Sequence, residues 1–308
     1  MRVVFIGTGE IGAPVLRWLQ DSPEHELVGV VTQPDKPVGR EQRIQAPPIK
    51  AALGASDVSV LQPERIKRDE AVQQIRALAP DVIVVMAYGQ ILPRAVLDIP
   101  RIACLNLHAS LLPRHRGAAP IQSAILSGDA ETGVTVMYMD EGLDTGDILL
   151  KRTIAIAPNE TGGSLHDRLA EISPGALEEA LHLLQAGNAP RIAQNTAEAT
   201  YAPKLEREHG LIDWSEPAEL IERRIRAFDP WPGAYTLLRG DAGRQRKLKI
   251  YRAALAASAG DVEGLRVSAR DGALLLLDVQ LEGKKRMPAV ELMRGHPWAA
   301  QAALSAGV

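Results

Sequence analysis

The sequence has one cysteine, few aromatic side chains and no long apolar run. Cys104 is the single thiol of the 308 residues, so no disulfide can form within the chain, which excludes a disulfide-stapled secreted scaffold. No window of about 18 apolar residues predicts a membrane-spanning helix. No group of Cys and His residues has the spacing of a metal site. With a net charge of −3, the chain as a whole is not expected to attract polyanions strongly.

The first residues form an apolar run from Val3 to Ile6, with nothing before it that resembles a targeting peptide. We therefore expect a cytoplasmic protein with no membrane partner. Cys104 lies within another apolar run, which favours a buried structural thiol.

Apolar runs and helical patterns alternate through the first half of the chain. The runs lack polar alternation, which is typical of strands covered on both faces. This order predicts an α/β domain, Rossmann-like, with a mostly parallel, doubly wound sheet. The predicted strands are Val3–Ile6, Leu27–Val31, Val82–Ala87, Ile102–Leu107 and Val134–Met139.

The second half changes character. A longer strand over Asp147–Ile156 precedes a helix from Ser164 to about Ala186, which Gly187 stops. Residues 188–205 have little periodicity and predict a linker. Short strands separated by Gly and Asp turns follow, the first of them at Ile212–Trp214, and they predict a small β-barrel. The predicted division is therefore 1–187, a linker at 188–205, and 206–308.

A glycine-rich turn follows the first predicted strand. Gly7, Gly9 and Gly12 fit the G-x-G-x-x-G pattern of dinucleotide-binding oxidoreductases. That pattern also needs an acidic residue at the end of the second strand, where this chain has Thr32 and Gln33. The glycines then serve a tight strand-to-helix turn, although a dehydrogenase remains a hypothesis to test.

Polar residues end the strand that contains Cys104. Asn106 and His108 share a face because side chains two apart in a strand point the same way. The carboxyl edge of such a sheet is where ligands bind. An amide, an imidazole and a nearby carboxylate together can stabilise an oxyanion and move a proton. Asp140, Asp144 and Asp147 compete for the carboxylate role on spacing alone.

Six segments give the chain a close resemblance to the methionyl-tRNA formyltransferase family. The resemblance implies formyl transfer from 10-formyltetrahydrofolate to the α-amino group of methionine on initiator tRNA, with no metal and no obligate protein partner. It also implies a Rossmann-like catalytic domain and a C-terminal OB-like tRNA-binding domain. The segments are Thr32–Arg40, Ala87–Pro93, Asn106–Pro120, Asp129–Thr135, Gly142–Asp147 and Ile225–Pro232.

Matched residue by residue, the resemblance implies catalytic roles for Asn106, His108 and Asp144. It places Ser110, Leu111, Leu112 and Pro113 in the folate-binding segment. Ala109 stands where many members have glycine, and this departure matters only where a positive φ is needed. For Arg114 and Arg116, a folate or phosphate contact and a solvated loop charge are equally favoured.

The loop from Pro34 to Pro48 falls where the family carries a basic segment that contacts the tRNA acceptor arm. The resemblance implies tRNA contacts for Arg40 and Arg43. The alternative is a stiff surface loop, and Glu41 departs from the family's usual basic run.

Four other functions stay open from the sequence. An N-formyltransferase for a nucleotide-linked amino sugar would have a similar catalytic domain, and so would a 10-formyltetrahydrofolate hydrolase. A non-catalytic RNA-binding protein would use only the tail, which holds 16 Lys and Arg against 14 Asp and Glu in 206–308. The dehydrogenase is the fourth.

Overall fold

The computed structural model describes residues 1–39, 41–239, 245–260 and 263–299. The chain divides into two compact units. The first comprises residues 1–120, 131–155 and 166–202, and the second comprises 121–130, 156–165 and 203–308. The domain boundaries predicted from the sequence, at residues 187 and 206, remain predictions.

Sixteen strands run through the described residues. They are β1 Arg2–Gly7, β2 Glu26–Val31, β3 Lys36–Val38, β4 Arg43–Gln45, β5 Ser59–Leu61, β6 Val82–Met86, β7 Ala103–His108, β8 Arg116–Gly117, β9 Glu131–Tyr138, β10 Ile148–Ala155, β11 Tyr201–Ala202, β12 Tyr235–Arg239, β13 Gln245–Leu255, β14 Leu265–Ala269, β15 Gly272–Leu281 and β16 Met287–Pro288.

Eight α-helices and three short 3₁₀ turns lie in the same described ranges. The helices are α1 Ala13–Asp21, α2 Pro48–Leu53, α3 Asp69–Ala77, α4 Arg94–Leu97, α5 Pro120–Ser127, α6 Gly162–Gln185, α7 Ala218–Ala227 and α8 Ala289–Gly295, and the 3₁₀ turns are Glu10–Gly12, Thr196–Glu198 and Arg207–Gly210. No helix in the described ranges is long and apolar enough to cross a membrane.

The first unit is built on a seven-stranded sheet in the order β10-β9-β7-β6-β1-β2-β5. β1 pairs in parallel with β2 and β6, and β6 pairs in parallel with β7. β9 and β10 are antiparallel to their neighbours. The predicted Rossmann-like, mostly parallel sheet is confirmed. β7 lies inside the sheet, so its polar end, Asn106 and His108, is held between β6 and β9.

Residues 188–202, predicted as part of a linker, belong to the first unit. Ile192 bridges Ile148 through two backbone hydrogen bonds of 2.8 and 3.0 Å. Further along, β11 pairs in parallel with β8. A single bridge and a two-residue strand need no sequence periodicity, which is why the segment looked like a plain connection.

The second unit contains an antiparallel sheet in the order β12-β13-β15-β14, with β16 on β15. Its antiparallel strands match the predicted C-terminal β domain, and buried residues such as Ile221, Leu248 and Leu276 form its core. The strand predicted at Ile212–Trp214 is wrong. Only an isolated bridge from Leu211 to Tyr235 forms there, and Trp214 is buried by packing instead.

Candidate functional site

Three polar side chains meet at the carboxyl end of β7. Asn106 Nδ2 donates to Asp144 Oδ1 across 3.4 Å, and His108 Nδ1 lies 3.6 Å from Asp144 Oδ2. The His108 and Asp144 side chains are only 7% and 14% exposed. The predicted amide, imidazole and carboxylate are therefore brought together, and of the three candidate aspartates Asp144 is the one that contacts the other two groups.

The tautomer of His108 follows from its second contact. His108 Nε2 lies 2.9 Å from the carbonyl oxygen of His115. A carbonyl only accepts hydrogen bonds, so Nε2 carries a hydrogen and donates it. This leaves Nδ1, the nitrogen that faces Asp144, as the atom that gains and loses a proton.

Asp144 is held in a backbone conformation that few non-glycine residues adopt. Its φ is 53°, in the left-handed region. Its Oδ2 accepts a 2.8 Å hydrogen bond from the backbone N–H of Gly117. Gly117 has a φ of 114°, and a Cβ there would lie 2.6 Å from the carbonyl oxygen of Ala202. Glycine at 117 therefore lets β8 lie against β11 while its N–H points at the carboxylate.

The segment Ser110–Pro113 is braced from within. Ser110 Oγ donates to the carbonyl of Arg114 at 2.7 Å, and Thr135 Oγ1 donates to the carbonyl of Ser110 at 2.6 Å. Ser110 and Leu112 are fully buried. Their side chains therefore shape the segment, which leaves its backbone and the half-buried Leu111 to meet a ligand. The folate contact of this segment stays a prediction.

A cavity of about 330 Å³ borders the same strand. Cys104 lines it and lies two residues before Asn106, so strand alternation places both on one face. The cavity lining is mainly polar: it includes Arg94, Asp98, Asp140 and Arg191, together with the apolar residues Leu97, Ile102 and Met139. Sequence reasoning identified Cys104 as buried but missed the cavity, because Arg191 and Asp140 are distant in sequence.

Burial makes Cys104 a poor nucleophile. The apolar surroundings raise the pKa of its thiol to about 12. At about pH 8.5 an ordinary thiol is half ionised, so we expect Cys104 in the folded protein to react with iodoacetamide far more slowly than the denatured chain does. Mass spectrometry of samples alkylated with and without denaturant measures this. Complete alkylation within minutes, with the circular dichroism spectrum unchanged, contradicts the prediction.

The loop from Pro34 to Pro48 begins and ends beside a cluster of polar side chains that are hydrogen-bonded to one another. Lys50 Nζ lies 2.8 Å from Asp35 Oδ2, and Gln62 Nε2 donates to Asp35 Oδ1 at 2.7 Å. These two hydrogen bonds, from Gln62 and then Lys50, lower the pKa of Asp35. Between Asp35 and Lys50, strands β3 and β4 form a hairpin whose side chains are exposed.

The structure describes one of the two residues predicted to contact tRNA. Arg40 lies outside the described residues. Arg43 is 77% exposed and forms a 2.7 Å ion pair with Glu41. Glu41, which departs from the family's usual basic run, therefore pairs with the cation to which the resemblance assigns a tRNA contact.

Two residues near Asp144 make contacts that the sequence did not predict. Gln194 Nε2 donates to the backbone carbonyls of Asp144 and Gly146 at 2.9 and 2.8 Å. Arg116, weighed as a ligand contact or a surface charge, donates instead to Gln194 Oε1. No local signal could have linked residues so far apart in the chain.

Both halves of the chain match family models for formyl transferases. The model described as "Formyl transferase" matches residues 1–181, and "Formyl transferase, C-terminal domain" matches residues 204–297. The chain belongs to the formyl transferase family.

Relatives that match along nearly the whole chain share one name. A methionyl-tRNA formyltransferase of Geobacter sulfurreducens is 46% identical over 303 residues, with 96% of this chain and 94% of the relative covered. Another from Akkermansia muciniphila is 48% identical over 308 residues and covers 96% and 97%.

Solved structures support the fold. The methionyl-tRNA formyltransferase from Clostridium thermocellum has a TM-score of 0.59 at 17% identity, covering 91% of this chain and 98% of that one. The sugar 3N-formyl transferase WlaRD gives 0.65 at 17% identity, covering 92% and 99%. HypX from Aquifex aeolicus, in complex with tetrahydrofolic acid, gives 0.62 at 19% identity, and this chain spans 47% of its length.

Proposed function

We propose that this chain transfers the formyl group of 10-formyltetrahydrofolate to the α-amino group of methionyl-initiator tRNA. The convergence of Asn106, His108 and Asp144 at one end of β7 carries the proposal. Full-length relatives that are 46–48% identical and named methionyl-tRNA formyltransferase support the choice of acceptor.

Asn106 serves the carbonyl oxygen of the formyl group. Attack by the amine on the formyl carbon moves negative charge onto that oxygen. An amide carries two N–H donors, and the contact with Asp144 uses one, so the second can meet the oxygen. Donors of this kind are worth about 3–4 kcal/mol in comparable sites.

His108 and Asp144 handle the proton that the attacking amine loses. His108 Nδ1 accepts it, directly or through a water molecule, and becomes part of an imidazolium. Asp144, 3.6 Å away, stabilises that positive charge while the carbonyl of His115 keeps the ring oriented from the other side. The proton then returns to the leaving nitrogen of the donor. No covalent enzyme intermediate is needed.

The cavity beside Cys104 fits the donor's flat ring system. Leu97, Ile102 and Met139 in its lining suit the faces of an aromatic ring, and the charged residues of the lining suit ring N–H and carbonyl groups. These charged residues are Arg94, Asp98, Asp140 and Arg191. The cavity lining also includes Cys104, which lies two residues before Asn106 on β7. We place the ring there and the formyl group toward Asn106; the folate contact of Ser110–Pro113 is what the family resemblance implies.

Two surfaces suit the tRNA. One is the exposed β3–β4 hairpin with Arg43. The other, which we call the basic strip, comprises Lys247, Lys249 and Tyr251 on one face of β13, with Tyr235 opposite Lys249. Lys247 Nζ lies 3.7 Å from the centre of the Tyr235 ring. Cations interleaved with aromatic rings suit a nucleic acid strand, and a role in translation implies the expected cytoplasmic location.

A formylation assay tests the function. The protein is incubated with 10-formyltetrahydrofolate and methionyl-tRNA, and in parallel with nucleotide-linked amino sugars or with no amine. The proposal requires formylmethionyl-tRNA as the main product. Formylated sugar as the sole product, or donor hydrolysis at the same rate without an amine, overturns it. Tight binding of NADH, seen by nicotinamide fluorescence, would revive the dehydrogenase.

Replacing either partner of the ion pair in the hairpin is expected to change the KM for methionyl-tRNA, in opposite directions for the two partners. Arg43→Ala is expected to raise the KM for methionyl-tRNA and to lower the salt slope of binding by about one unit, because one phosphate contact is lost. Glu41→Gln is expected to lower that KM, because it releases Arg43 from its 2.7 Å partner. The KM for the folate donor serves as the internal control. If both variants leave the tRNA KM and salt slope unchanged, the hairpin is plain surface.

A further inference from the structure

One side chain forms two hydrogen bonds to the backbone of the loop that carries Asp144. Gln194, in the segment before β11, donates its amide hydrogens to the carbonyls of Asp144 and Gly146, at 2.9 and 2.8 Å. These carbonyls flank Thr145. A single amide thus fixes the backbone on both sides of that residue, at the turn where the catalytic carboxylate projects.

Arg116 fixes the direction of that amide. Its Nε and Nη2 donate to Gln194 Oε1 at 3.1 and 2.7 Å. An arginine only donates, so the amide oxygen must face Arg116 and the amide nitrogen must face the loop. Arg116 also begins β8, whose next residue, Gly117, donates to Asp144 Oδ2 at 2.8 Å. Gly117 therefore holds the carboxylate directly, while the preceding residue, Arg116, acts on the backbone behind it through Gln194.

The loop needs such a hold. Asp144 has a φ of 53°, a conformation that costs a non-glycine residue about 1 kcal/mol or more. The start of the loop is fixed by Asp140, which accepts hydrogen bonds from the Gly142 N–H at 3.0 Å and from Thr145 Oγ1 at 2.7 Å. Leu143, midway between, is 51% exposed. Gln194 supplies the second fixed point, at the end of the loop.

We infer that Gln194 is a positioning residue for the Asp144 carboxylate and that Arg116 sets the orientation of its amide. This role rests on the proposed function, in which Asp144 acts on His108. A shift of about 1 Å in a catalytic group can slow a reaction about a hundredfold. Gln194 acts through Asp144 and has no contact with substrate in this scheme.

Gln194→Glu is the sharpest variant. The new carboxylate keeps the length and pairs with Arg116, but it has no N–H for the two carbonyls, which then face an anionic oxygen. We expect kcat to fall about 10- to 100-fold, with KM for donor and tRNA changed less than about threefold. A merely structural side chain would not confine its effect to kcat. Gln194→Met, of similar length and without charge or donors, replaces it if the glutamate variant does not fold.

A double-mutant cycle separates this role from the catalytic proposal. In the Asp144→Asn background, Gln194→Glu should cost less than about threefold further in kcat, because the group it positions is already lost. Equal fold losses in both backgrounds overturn the positioning role and leave the role of Asp144 standing. Wild-type turnover by Asp144→Asn overturns the carboxylate role, and the positioning role with it.

A matched control is available in the same unit. Gln20 is also half-buried, and its Nε2 donates to the backbone carbonyl of Leu53 at 3.2 Å, in contacts between α1 and α2. Gln20→Glu makes the same chemical change without touching the loop, so its kcat should equal that of the wild type. A kcat for Gln194→Glu equal to that of this control also overturns the inference.

Discussion

The His108→Ala variant is expected to transfer formyl groups at least about a hundredfold more slowly than the wild-type chain. The imidazole is the group that joins the carbonyl of His115 to the carboxylate of Asp144, and its Nδ1 is the atom placed to take the amine's proton. Single-turnover rates with methionyl-tRNA measure the loss without interference from product release.

Asn106→Ala and Asp144→Ala are expected to lose turnover on the same scale, the first through the oxyanion and the second through the imidazolium. His108 is buried, so His108→Gln, which keeps more of the volume, accompanies the alanine variant. His182→Ala is the control, because His182 is about half exposed and pairs with Glu24 at 3.2 Å. A folded Asp144→Ala protein with more than half of wild-type turnover would show that the carboxylate assignment is wrong.

Gly146→Ala is expected to damage both stability and catalysis. A Cβ on Gly146 would lie 1.8 Å from the carbonyl oxygen of Tyr138. That carbonyl belongs to β9, and the N–H of Tyr138 is bonded to the carbonyl of Asp147 at 2.9 Å, so neither backbone can yield alone. We expect a loss of about 1–3 kcal/mol in the free energy of unfolding. The loop must also move, which carries Asp144 away from His108 and lowers kcat.

Thermal unfolding and kcat, measured on the same sample, test the Gly146 prediction. Gly175→Ala is the matched control, because Gly175 lies exposed in α6 with no atom near the position of a Cβ. Alanine favours a helix interior by about 1 kcal/mol over glycine, so this variant should be slightly more stable and fully active. A Gly146→Ala protein that matches the wild type in both measurements would contradict the close approach.

Much of the catalytic unit could be predicted from local sequence. The apolar run of β7 and its polar end were sufficient to place Asn106 and His108 on one face, since strand alternation is a local property. The choice of Asp144 over Asp140 and Asp147 came from the family resemblance. Spacing alone could not make it, because the left-handed turn that aims the carboxylate is not encoded by residue type.

Pairing between distant residues is what the sequence could not supply. The apolar run that became β9 does not reveal its direction, because strands buried on both faces look alike whether they run parallel or antiparallel. The contact of Gln194 with the catalytic loop joins residues about fifty positions apart. The segment that contains Gln194 is partly exposed and pairs with other strands over only a few residues. Its sequence therefore has no periodic pattern of apolar residues.

The pairing of β11 with β8 sets the smallest piece of chain that could retain a complete active centre. A fragment cut after the long helix, at residue 187, would keep every residue of the catalytic trio. It would lose Gln194, and it would lose Thr200, whose Oγ1 accepts a 2.8 Å hydrogen bond from the N–H of His115. It would also lose the strand against which Gly117 lies. A minimal catalytic fragment is therefore expected to extend through Ala202, and cleavage between 188 and 202 is expected to lower activity without touching the proposed catalytic residues Asn106, His108 and Asp144.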